Sequence, residues 1–427
     1  MTDRFLTCDL GDVGELYDSL HQTPQYAEEG YPMIRVTDIR RGFVETKCAV
    51  RVNEETYLQF SKKHKPQVGD ILFSRVGSYG NSSYVNRIGE FCLGQNTVYI
   101  SPEQSRIEPY FLYCALNSDD LRHQIESLVG GASQGTISLK SIRKLQVPTP
   151  PLPVQRRIAG ILSAYDELME NNQRRIKILE EMARSLYREW FVNFRFPGHE
   201  KVPLVDSPLG HIPQGWTVAN LDAVRAEQSY AINGGPFGSK LGTKDYLAEG
   251  VPVIRGSNLR ESGRFDPSEF VFVSEQKAKE LHANLARPGD IVVTQRGTLG
   301  QIGMIPSGIG YNSFVISQSQ MKITLNPKKV NHEYVFFFLR SEEVNQRIKN
   351  LASSSGVPHI NLAVLREFQI LLPPFDLQTK FGAFVLSTES TIESLMRQIE
   401  NLRQTRDLLL PRLLSGQLEL SGTEAAA

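Results

Sequence analysis

Two short glycine-rich runs carry the chemistry most worth testing: Ser74-Arg75-Val76-Gly77-Ser78-Tyr79-Gly80-Asn81-Ser82-Ser83 and Thr294-Gln295-Arg296-Gly297-Thr298-Leu299-Gly300-Gln301. Each gathers glycines, hydroxyls, a carboxamide and one arginine. Backbone amides and hydroxyls can hold phosphates, while carboxamides and guanidinium groups match base edges. The same runs also read as plain hairpin turns in which glycine supplies a positive φ, and both readings stand. Pro236-Phe237-Gly238-Ser239-Lys240-Leu241 is a third such loop, with no match in the first half of the chain. Gly130–Gly135 and Ser353–His359 are two further polar loops in equivalent places. With the polar residues beside them, these loops nominate Arg35, Thr37, Arg75, Ser78, Tyr79, Asn81, Ser82 and Gln134 as nucleic-acid contacts in the first half. Lys240, Arg255, Asn258, Arg296, Thr298, Gln301, Ser354 and His359 are their counterparts in the second.

Catalytic signatures are missing from the sequence. It has no Walker A loop, no HExxH and no GxSxG. The nearest approach is Leu372-Pro373-Pro374-Phe375. Amino-methyltransferases place an Asn or Asp before such a Pro-Pro-aromatic run, where the side chain helps hold the target amine. Leu372 cannot do this, and neither can Thr149 before Pro150-Pro151. A strand-to-helix junction is the better reading of both. No two histidines have helical ligand spacing, so no metal site is expected. No cofactor is expected on this chain.

Composition sets the bounds. The 427 residues exceed one typical core, so two or more domains are expected. Lysine plus arginine balance aspartate plus glutamate at 47 each, so any nucleic-acid contact must come from local basic patches. No apolar run approaches the roughly 20 residues that span a bilayer, and the first residues lack the apolar core of a signal peptide. Cys8, Cys48, Cys92 and Cys114 have no CxxC spacing, which fits a reducing cytoplasm.

An internal repeat organises the rest. Glu29-Gly30-Tyr31-Pro32-Met33-Ile34-Arg35 returns as Glu249-Gly250-Val251-Pro252-Val253-Ile254-Arg255, and Val68-Gly69-Asp70-Ile71 as Pro288-Gly289-Asp290-Ile291. Gly77 and Gly80 return as Gly297 and Gly300; all share an offset of 220 residues. After small gaps, Ile137 pairs with Ile360, Leu139 with Leu362, Pro150-Pro151 with Pro373-Pro374, and Gln155 with Gln378. Each Pro-Pro opens a long helical pattern. The first, about Val154 to Phe191, places Ile158, Leu162, Tyr165, Met169, Asn172, Ile176, Leu179, Ala183, Leu186 and Trp190 at 4-3 spacing. The second, about Asp376 to Leu414, places Phe381, Val385, Thr388, Ile392, Leu395, Ile399, Leu402, Arg406, Leu409 and Leu413 likewise. These are coiled-coil seams, and the simplest partner for each is the other; two separate amphipathic helices, each on its own domain, are the alternative. Pro411 should kink or end the second helix.

Ile71–Ser74, Val98–Ile100, Phe270–Val273 and Ile291–Thr294 read as strands, and Glu108–Leu128 and Glu333–Leu351 as helices that follow them. The expected fold class is α+β: two duplicated domains, each followed by a long helix, with the helices pairing as an antiparallel coiled coil. The divisions are 1–150, a first recognition domain; 151–195, a central helix; 196–215, a Pro- and Gly-rich linker; 216–372, a second recognition domain; and 373–427, a C-terminal helix and tail.

This combination resembles the specificity subunit of type I restriction-modification enzymes. Gly210-His-Ile-Pro-Gln-Gly-Trp216 resembles the family's entry into its second target recognition domain, and Gly250–Leu259 and Pro288–Thr294 resemble that domain's interior. Pro150–Gln155 and Pro373–Gln378 resemble the starts of its helical regions, and Tyr187–Phe194 the end of the central one. The resemblance covers nearly the whole chain, although the first copy lacks the Gly-Ser-Lys-Leu loop. It implies that each domain reads half of a split DNA site in double-stranded DNA. It implies helices that set the spacing and bind two methyltransferase (modification) subunits. Those carry S-adenosylmethionine for adenine methylation after base flipping, and motor-nuclease (restriction) subunits with ATP and Mg2+ join for restriction in defence against foreign DNA. A coiled-coil DNA-binding regulator or scaffold, and a single-chain nuclease-methyltransferase, are the competing expectations.

Overall fold

The structure is a computed structural model that describes residues 5–130, 135–259, 265–352 and 360–418. The chain forms two compact units, Met1–Arg175 with Ser394–Ala427, and Ile176–Glu393. Both long helices are therefore shared out between the units.

In the first unit the central sheet runs Gly14–Asp18, Thr97–Pro102, Ile71–Ser74, Ser82–Tyr84, all antiparallel. Ile71–Ser74 is apolar almost without alternation because both its faces are covered. Ile71 and Phe73 enter the core beneath the helices, and Leu72 enters a second core on the opposite face. A smaller sheet joins Val50–Val52, Tyr31–Ile34 and Cys92–Leu93, the last pair parallel. Glu108–Leu128 is two helices rather than one, Pro109–Leu116 and Asp119–Leu128. Ser118 starts the second by accepting from the Leu121 amide at 3.4 Å, which outcompetes continuation of the first.

The second unit repeats the plan. Its sheet runs Ile232–Gly234, Gln320–Ile323, Ile291–Thr294, Ile302–Met304. The smaller sheet here has four strands, Val271–Val273, Val251–Ile254, Phe314–Ile316 and Leu285–Ala286. His332–Leu339 and Glu342–Ala352 again replace one expected helix by two. The stretch read as a linker forms a hairpin, Leu204–Ser207 with Gly210–Pro213, and buries Phe196 and Ile212 beside Trp216 in this unit's core. Its prolines and glycines shape turns within a packed segment.

The first long helix spans Leu152–Tyr187 and continues as a π-turn over Arg188–Val192; the second spans Phe375–Leu414, with Pro411 in its last turn. Each is tied to its domain by one glutamine. Gln155 accepts from the Glu108 amide at 2.8 Å and donates to the Pro150 carbonyl at 2.7 Å; Gln378 accepts from the Asn331 amide at 3.0 Å and donates to the Pro373 carbonyl at 2.7 Å. Within the first unit the helices pair antiparallel: Asp166 meets Arg406, and further on Asn172 donates to Gln398 at 3.2 Å. Ile158 and Leu162 share that unit's core with Leu410, Leu413 and Leu414. In the second unit Ala183, Tyr187 and Phe191 share a core with Leu377, Phe381 and Val385, and Leu186 and Trp190 lie partly buried against it. Among the described residues, no helix is long and apolar enough to cross a membrane.

Candidate nucleic-acid interface

Both glycine-rich runs fold as the same tight turn at the end of a central strand. The Ser74 amide donates to the Asn81 carbonyl at 3.0 Å, and the Thr294 amide to that of Gln301 at 2.9 Å. Gly80 and Gly300 hold φ near +80° and +87°. A Cβ on Gly80 would press on Ile125 at 3.1 Å, and one on Gly300 would collide with the Asn345 carboxamide. The glycines are thus explained by the turn; the side chains between them are what remains for a ligand.

Those side chains divide by where they point. Thr37, Ser78, Lys240, Arg296 and Thr298 are exposed, and none has a side-chain hydrogen bond or ion pair among the described residues. Tyr79 is half-buried against the core. Asn81 also works inward, donating to the Ile39 carbonyl at 3.5 Å. Ser82 and Asn258 are 0% exposed. Ser82 accepts from Asn117 at 2.7 Å; Asn258 accepts from the Arg255 amide at 2.8 Å and donates to the Asp266 carbonyl at 2.9 Å. Their polar groups are satisfied inside the fold, so residue type alone overstated their reach. Gln134, Ser354 and His359 lie outside the described residues.

The arginines differ in the same way. Arg75 is only 13% exposed; its guanidinium pairs with Asp18 at 2.9 Å and donates to the Ile137 carbonyl at 3.2 Å. Its counterpart at the shared offset is Gln295, which donates to the Gln318 carbonyl at 2.7 Å, and Gly234 stands where Asp18 would be. The Ile137 and Ile360 amides donate to the Arg75 and Gln295 carbonyls at 3.0 and 3.1 Å, which marks the two positions as equivalent. Arg35 forks onto Asp38 at 3.0 and 3.3 Å, and that hydrogen bonding raises its pKa. Arg255 donates to the Glu269 carbonyl at 2.6 Å. Gln301 accepts from the Thr294 hydroxyl at 3.4 Å.

The structure adds residues that the sequence did not single out. A cavity of about 280 Å3 in the first unit is lined by Thr23, Tyr26, Arg35, Thr37, Gln95 and Asn96, among others. Asn96 takes a left-handed conformation, φ 63°. Arg35 and Thr37 are among the residues the sequence nominates; no motif marks Thr23, Tyr26, Gln95 or Asn96, which the strand crossover gathers beside them. Below the loops, each repeated Gly-Asp turn buries its aspartate beside a different nitrogen-bearing side chain, Asp70 with His64 at 2.6 Å and Asp290 with Lys322 at 4.0 Å. Burial pushes the Asp290 carboxyl up and the Lys322 ammonium down. Among the described residues no group of three or more His, Cys, Asp or Glu could hold a metal ion.

Exposed polar loops repeated on two copies of one scaffold, each copy fastened to paired long helices, define a recognition subunit. The type I restriction modification DNA specificity domain matches residues 5–181 and 232–404, and the chain belongs to that family. The type I restriction enzyme MjaIX specificity subunit of Methanocaldococcus jannaschii is 24% identical over 329 residues, 75% of this chain and 71% of the relative. The MjaVIII specificity subunit of the same organism is 22% identical over 400 residues, 92% and 87% of the two chains. The solved S subunit of a type I restriction-modification system from M. genitalium shares the fold, with a TM-score of 0.57, 19% identity and 97% of each chain covered.

Proposed function

We propose that each unit reads one half of an asymmetric, two-part duplex site, and that the chain delivers this address to methyltransferase subunits without doing chemistry itself. One observation carries the reading: the turns match in backbone and differ in side chains. Val76 corresponds to the exposed Arg296 and Ser78 to Thr298, while Tyr79 and Leu299, at the next matched position, lie partly buried. Different donors and acceptors on one scaffold select different bases. Partner docking is supported by Leu168, Ile178, Met182, Leu386, Met396 and Leu408, large apolar side chains left exposed along the long helices. The partners proposed are two modification subunits that use S-adenosylmethionine on adenine, with motor-nuclease subunits using ATP and Mg2+.

The test is to express the chain with its methyltransferase subunit and map the methylated sites. Two unlike half-sites separated by a fixed gap are expected; a palindrome or one continuous short motif contradicts the reading. At the residue level, Arg296→Ala should weaken DNA binding without lowering stability. If Arg296 touches phosphate only, all sequences suffer alike and the salt slope falls by about one; if it reads guanine, one position relaxes at a cost of roughly 1–3 kcal/mol. Arg75→Ala should do the reverse. Losing the Arg75 guanidinium leaves the partly buried Asp18 with only the exposed His21 ring at 3.0 Å, at a cost of about 1–3 kcal/mol in unfolding experiments. Equal melting of wild type and Arg75→Ala would return Arg75 to the DNA surface.

A further inference from the structure

The two units differ in one local insertion. The Ser19 amide donates to the Thr97 carbonyl at 3.2 Å, and in the same place the Gly235 amide donates to that of Gln320 at 2.8 Å. Downstream, Ala27 and Leu247 bridge to equivalent strands. Between these landmarks the second unit carries four more residues than the first. The extra length is the loop around Phe237, and it is firmly held. Pro236 and Leu241 at its ends are buried, and a Cβ on Gly235 would collide with the Ser317 carbonyl. Gln318 donates to the Gly238 carbonyl at 2.6 Å and to the Leu241 carbonyl at 2.7 Å. Its counterpart Gln95 instead reaches Thr23, at 3.1 Å.

On this pinned support Phe237 is 71% exposed, and Gly238 turns the chain at φ +61° beneath it. Nothing in the second unit covers the ring among the described residues. Lys240, exposed and without a salt bridge there, stands three residues on, and the loop from Pro236 to Leu241 holds no acidic residue. An apolar ring on a rigid, basic-flanked loop suits duplex DNA in one way: the ring enters a base step and partly unstacks it while the ammonium meets a phosphate.

We infer that Phe237 is a DNA wedge, present in the second unit alone, that marks one step of the half-site that unit reads. The inference rests on the DNA-reading function proposed above. A wedge favours steps that unstack easily, such as pyrimidine–purine steps, so it adds specificity without hydrogen bonds to a base.

The experiment uses the chain in complex with its methyltransferase subunits and duplexes carrying the mapped site. 2-Aminopurine is placed singly along the half-site of the second unit. With wild type, fluorescence should rise at one step on binding. Phe237→Ala should abolish that rise and weaken binding about tenfold, Phe237→Trp should restore both, and Lys240→Ala should lower the salt slope by about one. Deleting Phe237–Lys240, which gives the length the first unit uses, should match Phe237→Ala. Retention of affinity and fluorescence by Phe237→Ala overturns the wedge. So does loss of methyltransferase binding by that variant with DNA unstacking intact, which would make the ring a protein contact. Failure of the wild-type complex to bind any site specifically would overturn the DNA reading itself, a result visible before any variant is made.

Discussion

Replacing Arg406 by alanine should lower the stability of the first unit by about 3–5 kcal/mol. Arg406 and Asp166 are each 9% exposed, and they pair in a seam that is mostly apolar. Asp166 also accepts from the Tyr110 hydroxyl, which ties the domain helix Pro109–Leu116 to the first long helix. Arg406 extends the chain of charges to Asp407 at 2.9 Å, and Asp407 meets Arg41 at 3.0 Å. Truncation therefore leaves a carboxylate held by one hydroxyl in a low-dielectric setting, and the loss of its countercharge is the dominant cost. Replacing both partners by apolar residues, Asp166→Leu with Arg406→Met, should recover most of the loss. What the double variant should not recover is register, because a polar pair in an apolar seam penalises slipped alignments. Hydrogen exchange over Pro109–Leu116 and over the paired helix segments would report both effects. Wild-type protection in Arg406→Ala would show that the pair does not hold this unit together.

This pair also shows what the sequence does and does not disclose. The seams are legible because a 4-3 spacing survives over ten positions, and the duplication because its glycines and prolines are fixed by backbone geometry. Arg406 is visible only as an interruption. Its mate Asp166 sits one residue after the seam position Tyr165, so periodicity cannot announce it. Three of the proposed DNA contacts are hidden from the sequence in the same physical way. Ser82, Asn258 and Arg75 have suitable chemistry, but depth decides their role, and depth depends on strands far off in sequence. Asp18 and Arg75 give way together to Gly234 and Gln295, and only the sheet order reveals that these positions face each other. The break at Ser118 is different. Ser118-Asp119-Asp120 is a capping serine followed by acids, a helix start readable in the sequence itself.

The end of the first long helix gives the sharpest contrast between pattern and packing. The 4-3 spacing names Leu186 and Trp190 as core positions, yet after Ala183 the buried residues are Tyr187 and Phe191. The π-turn over Arg188–Val192 lies at this point. It begins after Tyr187, so it bears on the placement of Phe191 and not on that of Tyr187; such a turn contains one residue more than an α-turn, which rotates the following side chains relative to a heptad. Phe191 then stands among Tyr334 at 4.7 Å, Phe381 at 5.2 Å, Tyr187 at 5.4 Å and Trp216 at 6.1 Å between ring centroids, the first two edge to face. Burial drives the Tyr187 hydroxyl well above its usual range, in keeping with a dry cluster. Phe191→Ala should therefore cost about 3–5 kcal/mol in the second unit, since four rings cannot collapse into the space left. Trp190→Ala, although it removes more atoms, should cost only about 1–2 kcal/mol, because the indole is only partly buried. In complex with the proposed methyltransferase partner, Phe191→Ala should also lose methylation at elevated temperature before wild type does, as its second unit opens first. Denaturant titration followed by hydrogen exchange in Ile291–Thr294 and His332–Leu339 would measure the difference. A larger loss for Trp190→Ala than for Phe191→Ala would mean that the heptad seam, and not the π-turn, governs how the helix is anchored.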